Sequence, residues 1–243
     1  MTVAISKVGA TARFTLPIRA KAVVVDLDGT MLDTIGDLAS AANAARVELG
    51  FAPLDPEFIK TFVGKGIVNL VLRTLTDGRG GLEQAALDRG VAVFERHYAL
   101  RLAETTRAYP GVEQGLRALR AKGLRLGCIT NKAARFTHPL LEQTGLAGYF
   151  EIVLAGDTLP RKKPDPLPLL HAAEFFKVQP HELLLIGDSV NDVQAAHAAG
   201  CPVFVVPYGY NEGQDIRTQS YEALIAGLDD AANLIENAGS SSS

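Results

Sequence analysis

The residues most able to do chemistry lie in VVVDLDGTMLDT, residues 23–34. An apolar run ends at Asp26, Asp28 follows two positions later, and Gly29 and Thr30 come next. Asp-Gly is a common turn pair, so a strand ending in a polar turn is the ordinary reading of such a stretch. The second carboxylate is what that reading leaves unexplained. Carboxylates held this close repel each other unless a cation or a shared proton intervenes. The stretch therefore calls for a metal, and for further ligands elsewhere in the chain. Candidate ligands are Asp188 and Asp192 in GDSVND, and Thr130 at the end of LRLGCIT with Lys162 and Lys163 in RKKPDP are further polar residues that could join the same site. Taken singly, each has a plainer use. Thr130 would end a strand, the lysines would form a solvated surface pair, and the two aspartates would charge a helix N-terminus.

These residues need elements to position them. Five short, near-continuous apolar runs read as buried parallel strands: 22–27, 124–130, 150–156, 182–188 and 202–207. Helical spacing over 111–123, 133–144, 166–177 and 190–199 separates most of them. The alternation predicts an α/β fold with a doubly wound, Rossmann-like parallel sheet. Ligands in such sheets bind beyond the carboxyl ends of the strands. Asp26, Thr130 and Asp188 each fall at such an end and are expected to converge on one crevice.

The stretch from Asp33 to Pro110 is far longer than an ordinary crossover. Within it, 38–50, 56–75 and 81–102 read as helical. A small all-helical cap domain inserted after the first strand is the economical explanation, and it would cover the crevice as a lid. The expected organisation is an N-terminal arm (1–20), an α/β core domain (21–36 and 108–238), a helical cap domain (37–107) and a disordered tail (239–243). The cap holds Gly64-Lys65-Gly66, either a short turn between helices or a lid loop that lowers Lys65 onto a substrate. Arg73 either meets a substrate carboxylate or lies on a solvated helix face.

Composition narrows the classes. The 243 residues are 47% hydrophobic, ordinary for a globular protein with a full core. Lys plus Arg is 24 against 27 Asp plus Glu, a net charge of −3, which argues against nucleic-acid and membrane-surface partners. No stretch approaches the roughly 20 apolar residues of a membrane span, and residues 1–20 lack the apolar core of a signal peptide. Cys128 and Cys201 sit in apolar surroundings with no CxxC pair, as buried thiols of a cytoplasmic protein would. The five histidines show no metal-binding spacing.

Together, DLDGT (Asp26–Thr30), Thr130, Lys163 in KKPDP and GDSVND (Gly187–Asp192) resemble the four motifs of the haloacid dehalogenase superfamily, in its phosphatase branch. The resemblance covers about residue 21 to 230, and the motifs occur in order on the expected elements. It implies a Mg²⁺-dependent phosphate ester hydrolase. Asp26 would be the nucleophile, forming an aspartyl phosphate. Asp28 would act as general acid and then general base. Thr130 and Lys163 would bind phosphate oxygens. Mg²⁺ would be held by Asp26, the Asp28 carbonyl and Asp188, with Asp192 holding a water or orienting Lys163. Backbone N–H groups around Gly29, Thr30 and Asn131 would complete the phosphate cradle.

Asp28 also helps to choose the reaction. Dehalogenases and phosphonate-cleaving relatives usually lack it, so it favours phosphate ester hydrolysis or phosphomutase chemistry. DGTMLDT, DLASAANAARVELGF, FVGKGIVNLVLRTL and GDTLPRKKPDPLPLL resemble bacterial phosphoglycolate phosphatases in particular. The expected partner is thus a small phosphorylated metabolite, and the expected state a monomer or weak dimer. Sugar phosphates, nucleotides or pyrophosphate as substrates, and a phosphosugar mutase, are alternatives. So is a receiver-type signalling module that is phosphorylated on an Asp at a strand end. A receiver would be about half this length, with its phospho-Asp on the third strand.

Overall fold

The computed structural model describes residues 13–239; residues 1–12 of the expected arm and 240–243 of the expected tail lie outside the described residues. The chain opens with β1 (Ile18–Ala20), β2 (Ala22–Val25) and β3 (Leu32–Asp33). Four helices follow, α1 (Ile35–Glu48), α2 (Pro56–Lys60), α3 (Ile67–Leu75) and α4 (Gln84–Arg101), before β4 (Arg107–Ala108). Then come α5 (Val112–Ala121), β5 (Arg125–Ile129), α6 (Ala134–Gln143), β6 (Ile152–Leu154), α7 (Leu167–Phe176), β7 (Leu183–Gly187), α8 (Val190–Ala199) and β8 (Val203–Val205). The chain finishes with β9 (Ala223–Leu224), α9 (Leu228–Ala231) and β10 (Ile235–Asn237).

Six strands form one parallel sheet in the order β6-β5-β2-β7-β8-β9. The chain works outward from β2 to β6, then crosses back to β7 and works outward the other way. β2 and β7 are therefore the pair at which the winding reverses, the usual place for a ligand crevice.

Both faces of the sheet are covered, which is why its strands read as unbroken apolar runs. Side chains alternate across a strand. Val23 and Val25 of β2, with Leu184 and Ile186 of β7, face Leu116 and Leu119 of α5, Leu140 of α6 and Leu228 of α9. Ala22 and Val24, with Leu183 and Leu185, face Leu169 and Phe176 of α7 and Val193 and Ala196 of α8.

The helices between β3 and β4 build a third apolar cluster of their own. It contains Leu38, Ala41, Phe62, Leu70, Val71, Phe94 and Tyr98, and it takes in Phe136 and Tyr210 from the rest of the chain. The Tyr98 and Phe136 rings meet edge-on at 5.0 Å. The helical reading of 56–75 is interrupted where Gly64 and Gly66 take φ of +124° and +86°, which side chains with a Cβ rarely adopt. Two expectations are corrected. Ile18–Ala20, read as part of the arm, form a parallel ladder with Ile235–Asn237. The first inserted helix begins at Ile35, two residues before the expected boundary.

The insert is anchored by Asp37, which is 1% exposed. Oδ1 accepts from the Thr105 amide (2.7 Å) and hydroxyl (2.6 Å), and Oδ2 from the Thr106 amide (3.2 Å) and hydroxyl (2.7 Å). Burial pushes this carboxyl up, but the four donors more than offset it, and its pKa lies below the ordinary aspartate value. A depressed carboxyl stabilises the fold above its unfolded pKa and loses that contribution as pH falls through the folded value. Asp37→Asn turns an amide donor toward one donor pair. It is expected to cost about 2–4 kcal/mol at neutral pH. The gap to wild type should shrink as the solution is acidified below the usual aspartate range. Denaturant midpoints at several pH values check both statements.

Candidate active site

Each strand end at the crevice supplies one of the expected side chains. Asp26 follows β2, Thr130 follows β5 and Asp188 follows β7. Asp26, Asp188 and Asp192 are all buried and each offers a carboxylate oxygen, the three atoms lying within 4.8 Å of one another. Burial is the main force pushing Asp26 up to about 6. Lys163 opposes it, while Asp192 and Asp28 add repulsion. Asp188 is raised well above the usual carboxylate range by burial, then by Asp26 and Asp192.

Lys163 is 3% exposed. Its Nζ lies 2.8 Å from Asp26 Oδ1 and 2.7 Å from Asp192 Oδ1, and donates to the Ile129 carbonyl at 2.7 Å. An ammonium has three donors, and all are used. Burial would lower its pKa, but Asp192 and Asp26 outweigh this and hold it charged. Asp192 also accepts from the Ser189 amide (3.1 Å) and hydroxyl (2.6 Å), closing the capping box that starts α8. The capping use and the charge use foreseen for Asp192 coexist in one side chain.

Three buried carboxylates share one ammonium, and the raised Asp26 and Asp188 mark a cluster short of positive charge. Hard oxygen donors with that deficit suit a Mg²⁺-type cation. Asp188 is fixed in orientation: Oδ1 accepts from Thr30 Oγ1 at 2.8 Å and Oδ2 from the Tyr210 amide at 2.7 Å. Gly209 is small for the same reason. A Cβ there would lie 2.1 Å from Asp188 Oδ2.

Asp28 sits at the more open side of the cluster. Thr34 Oγ1 donates to its Oδ1 at 2.8 Å, and Lys132 Nζ lies 3.1 Å and 3.2 Å from its two oxygens. A small cavity collects these groups. Asp26, Asp28, Thr130, Lys132, Lys163, Asp188 and Asn191 line it from the sheet side, and Leu38, Val63, Gly64, Ile67 and Leu70 from the inserted helices and the loop between α2 and α3. Thr130 Oγ1 accepts from the Lys132 amide at 3.2 Å, a bond that does not use its own hydroxyl hydrogen. Asn131 donates to the Gly64 carbonyl (2.9 Å) and to the Lys163 carbonyl (2.8 Å), joining the inserted loop to the sheet side.

Four sequence expectations land elsewhere. The Gly29 amide donates to Leu32 O at 2.9 Å, so the tight turn consumes the N–H that was expected to meet phosphate. Thr30 is not among the cavity-lining residues, and its hydroxyl, a group the cradle expectation did not use, donates to Asp188. Lys65 and Arg73 do not line the cavity. Glu212 draws both away, at 2.8 Å and 3.6 Å, and Arg73 also stacks 4.3 Å from the Phe62 ring centroid. Sequence reading missed Lys132, Asn191, Tyr210 and Glu212. Asn191 lies inside a motif already singled out, GDSVND, and Lys132 lies two residues beyond Thr130. Tyr210 lies in a loop with no periodic signal, yet its hydroxyl donates to Asp33 Oδ1 at 2.8 Å and accepts from the Thr34 amide at 2.6 Å.

Residues 23–206 match the family model for haloacid dehalogenase-like hydrolases, and the chain belongs to that family. Among its relatives, a Nitrosospira multiformis protein named phosphoglycolate phosphatase is 55% identical over 224 residues, covering 92% of this chain and 98% of its own. A Thiobacillus denitrificans protein of the same name is 51% identical, with 93% and 99% covered. The crystal structure of a predicted phosphoglycolate phosphatase from Haemophilus somnus superposes with a TM-score of 0.83 at 30% identity, covering 88% of this chain and 97% of that one.

Proposed function

We propose that this protein is a Mg²⁺-dependent phosphate monoester hydrolase that converts 2-phosphoglycolate to glycolate and phosphate through an aspartyl phosphate on Asp26. The observation that carries this reading is the pairing at one strand end. Asp26 belongs to the buried acidic trio, whereas Asp28, two residues on, faces the cavity outside it. That separation supports charge and attack for one carboxylate and proton transfer for the other. The names of the relatives at 55% and 51% identity support the substrate. Membership in a hydrolase family removes the receiver-module alternative.

Asp26, Asp188 and the Asp28 carbonyl would hold the cation, which when bound neutralises the phosphate and the carboxylates around it. Lys163 fixes the Asp26 carboxylate through Oδ1, which leaves Oδ2 to attack phosphorus. The Thr130 hydroxyl donates to a phosphate oxygen. Asp28 protonates the leaving oxygen. It then takes the proton of the water that cleaves the aspartyl phosphate. The inserted helices, which we propose act as a cap, wall the cavity with apolar side chains and limit water access to the acyl phosphate. The two free, buried cysteines accord with a reducing cytoplasm, and no helix among the described residues is long and apolar enough to cross a membrane.

Phosphate release should be measured with Mg²⁺ on 2-phosphoglycolate, sugar phosphates, nucleoside monophosphates and pyrophosphate. The highest kcat/KM is expected for 2-phosphoglycolate, with activity lost in EDTA and restored by added Mg²⁺. A higher value for another ester would move the substrate and keep the chemistry. Release that survives EDTA would remove the metal from the mechanism, and no release from any ester would overturn the reading.

A further inference from the structure

Two ammonium groups line the cavity, those of Lys163 and Lys132. All the donors of Lys163 are committed to Asp26, Asp192 and the Ile129 carbonyl. Lys132 is differently placed. It is 5% exposed, its Nζ contacts both oxygens of Asp28, and it lies 4.8 Å from the ring centroid of Tyr98 on α4. Burial would lower its pKa, but Asp28 and Tyr98 more than offset this, so it stays charged. Beyond it the inserted helices contribute Leu38, Val63, Ile67 and Leu70. The Nδ2 donor of buried Asn191, on the same lining, has no hydrogen-bond partner.

We propose that Lys132 is a specificity-determining residue that binds the carboxylate of the substrate, making the site selective for short phosphate esters with an acid group next to the ester carbon. The inference deepens the phosphoglycolate reading and rests on it. In that reading the leaving oxygen faces Asp28. The carboxylate carbon of 2-phosphoglycolate is two bonds beyond that oxygen, so the acid group falls beside the cation that flanks Asp28. While Asp28 carries the proton that it gives to the leaving oxygen, the Lys132 ammonium is left to balance the substrate carboxylate. A sugar would place hydroxyls against the apolar wall and leave them unpaired, which is unfavourable. The cationic side chains of the insert that could otherwise compete, Lys65 and Arg73, are already engaged by Glu212. Asn191 Nδ2 is an available donor for a further substrate oxygen.

The test compares 2-phosphoglycolate with 2-hydroxyethyl phosphate, which has the same chain length and no acid group. Steady-state kinetics would be run on wild type, Lys132→Met, Lys132→Gln and Lys132→Arg, each checked for folding by circular dichroism. Lys132 also touches Asp28, so both esters lose kcat through that contact, and the ratio of their kcat/KM values cancels the loss. In Lys132→Met the ratio is expected to fall about a hundredfold, mainly through KM for 2-phosphoglycolate, and Lys132→Arg should restore much of it. Lys132→Gln, which keeps a donor without the charge, serves the same purpose if the Met variant misfolds. A ratio that stays within about threefold of wild type in the uncharged variants would overturn the assignment and leave Lys132 as a partner of Asp28 alone. A wild type that releases no phosphate from either ester would overturn the parent reading instead, and the inference with it.

Discussion

Asp26→Asn is expected to cut phosphate release at least ten-thousandfold, to the order of magnitude seen when nucleophiles are removed from other covalent hydrolases, while leaving the fold intact. The amide oxygen can still accept from Lys163, which also keeps Asp192 and the Ile129 carbonyl as partners. The buried site also tolerates the loss of charge. Burial is the main force that pushes the Asp26 carboxyl up to about 6, so an ionised group there is held at a cost that a neutral amide does not carry. Without metal, the variant should be as stable as wild type at neutral pH or more so. Denaturation in EDTA beside a phosphate-release assay measures both halves. Activity above a hundredth of wild type, with deamidation excluded by mass spectrometry, would remove Asp26 as nucleophile.

The second large effect concerns Asp28, and its signature is a dependence on leaving group. Asp28→Asn removes the acid that protonates the departing oxygen. An alkoxide such as that of glycolate leaves poorly without a proton, so losses of about a thousandfold or more are expected on 2-phosphoglycolate. A nitrophenolate leaves without help, so formation of the aspartyl phosphate should be far less affected on 4-nitrophenyl phosphate. The same residue activates water for the second half-reaction. Rapid mixing with the phenolic ester should therefore show a burst of nitrophenol followed by slow turnover. Equal losses on both esters, with no burst, would mean that Asp28 is not the proton donor. Thr34 and Lys132 hold the Asp28 carboxylate from two sides, so Asn can occupy the same place with one contact altered.

Much of this was legible before the structure, because the central strands are buried on both faces and must be apolar throughout. β2, β5, β6, β7 and β8 announce themselves as runs without alternation, and their ends mark where Asp26, Thr130 and Asp188 must meet. β1 and β10 were not legible. They pair with each other outside the main sheet, and each has an exposed charged residue at its centre, Arg19 or Glu236, so neither forms an unbroken apolar run. Lys132 and Glu212 were missed for a different reason. A lysine or glutamate in a loop looks solvated in sequence, and only the packing of Tyr98 over one and of Lys65 and Arg73 against the other shows their use. Gly29 failed because backbone hydrogen bonding is local geometry: its turn already had a claimant for that N–H in Leu32.

The short ribbon of β3 and β4 sets Leu32 opposite Ala108 and Asp33 opposite Arg107. The chain thus departs from the sheet and returns to it at a single doorway. The entropy of closing a loop grows only with the logarithm of its length, and the paired doorway fixes the ends whatever lies between them. The intervening helices can lengthen, shrink or be exchanged for others without shifting the register of β2 against β5 and β7. The helices that wall the cavity can thereby be refitted while the acidic strand ends and Lys132 beneath them keep their places.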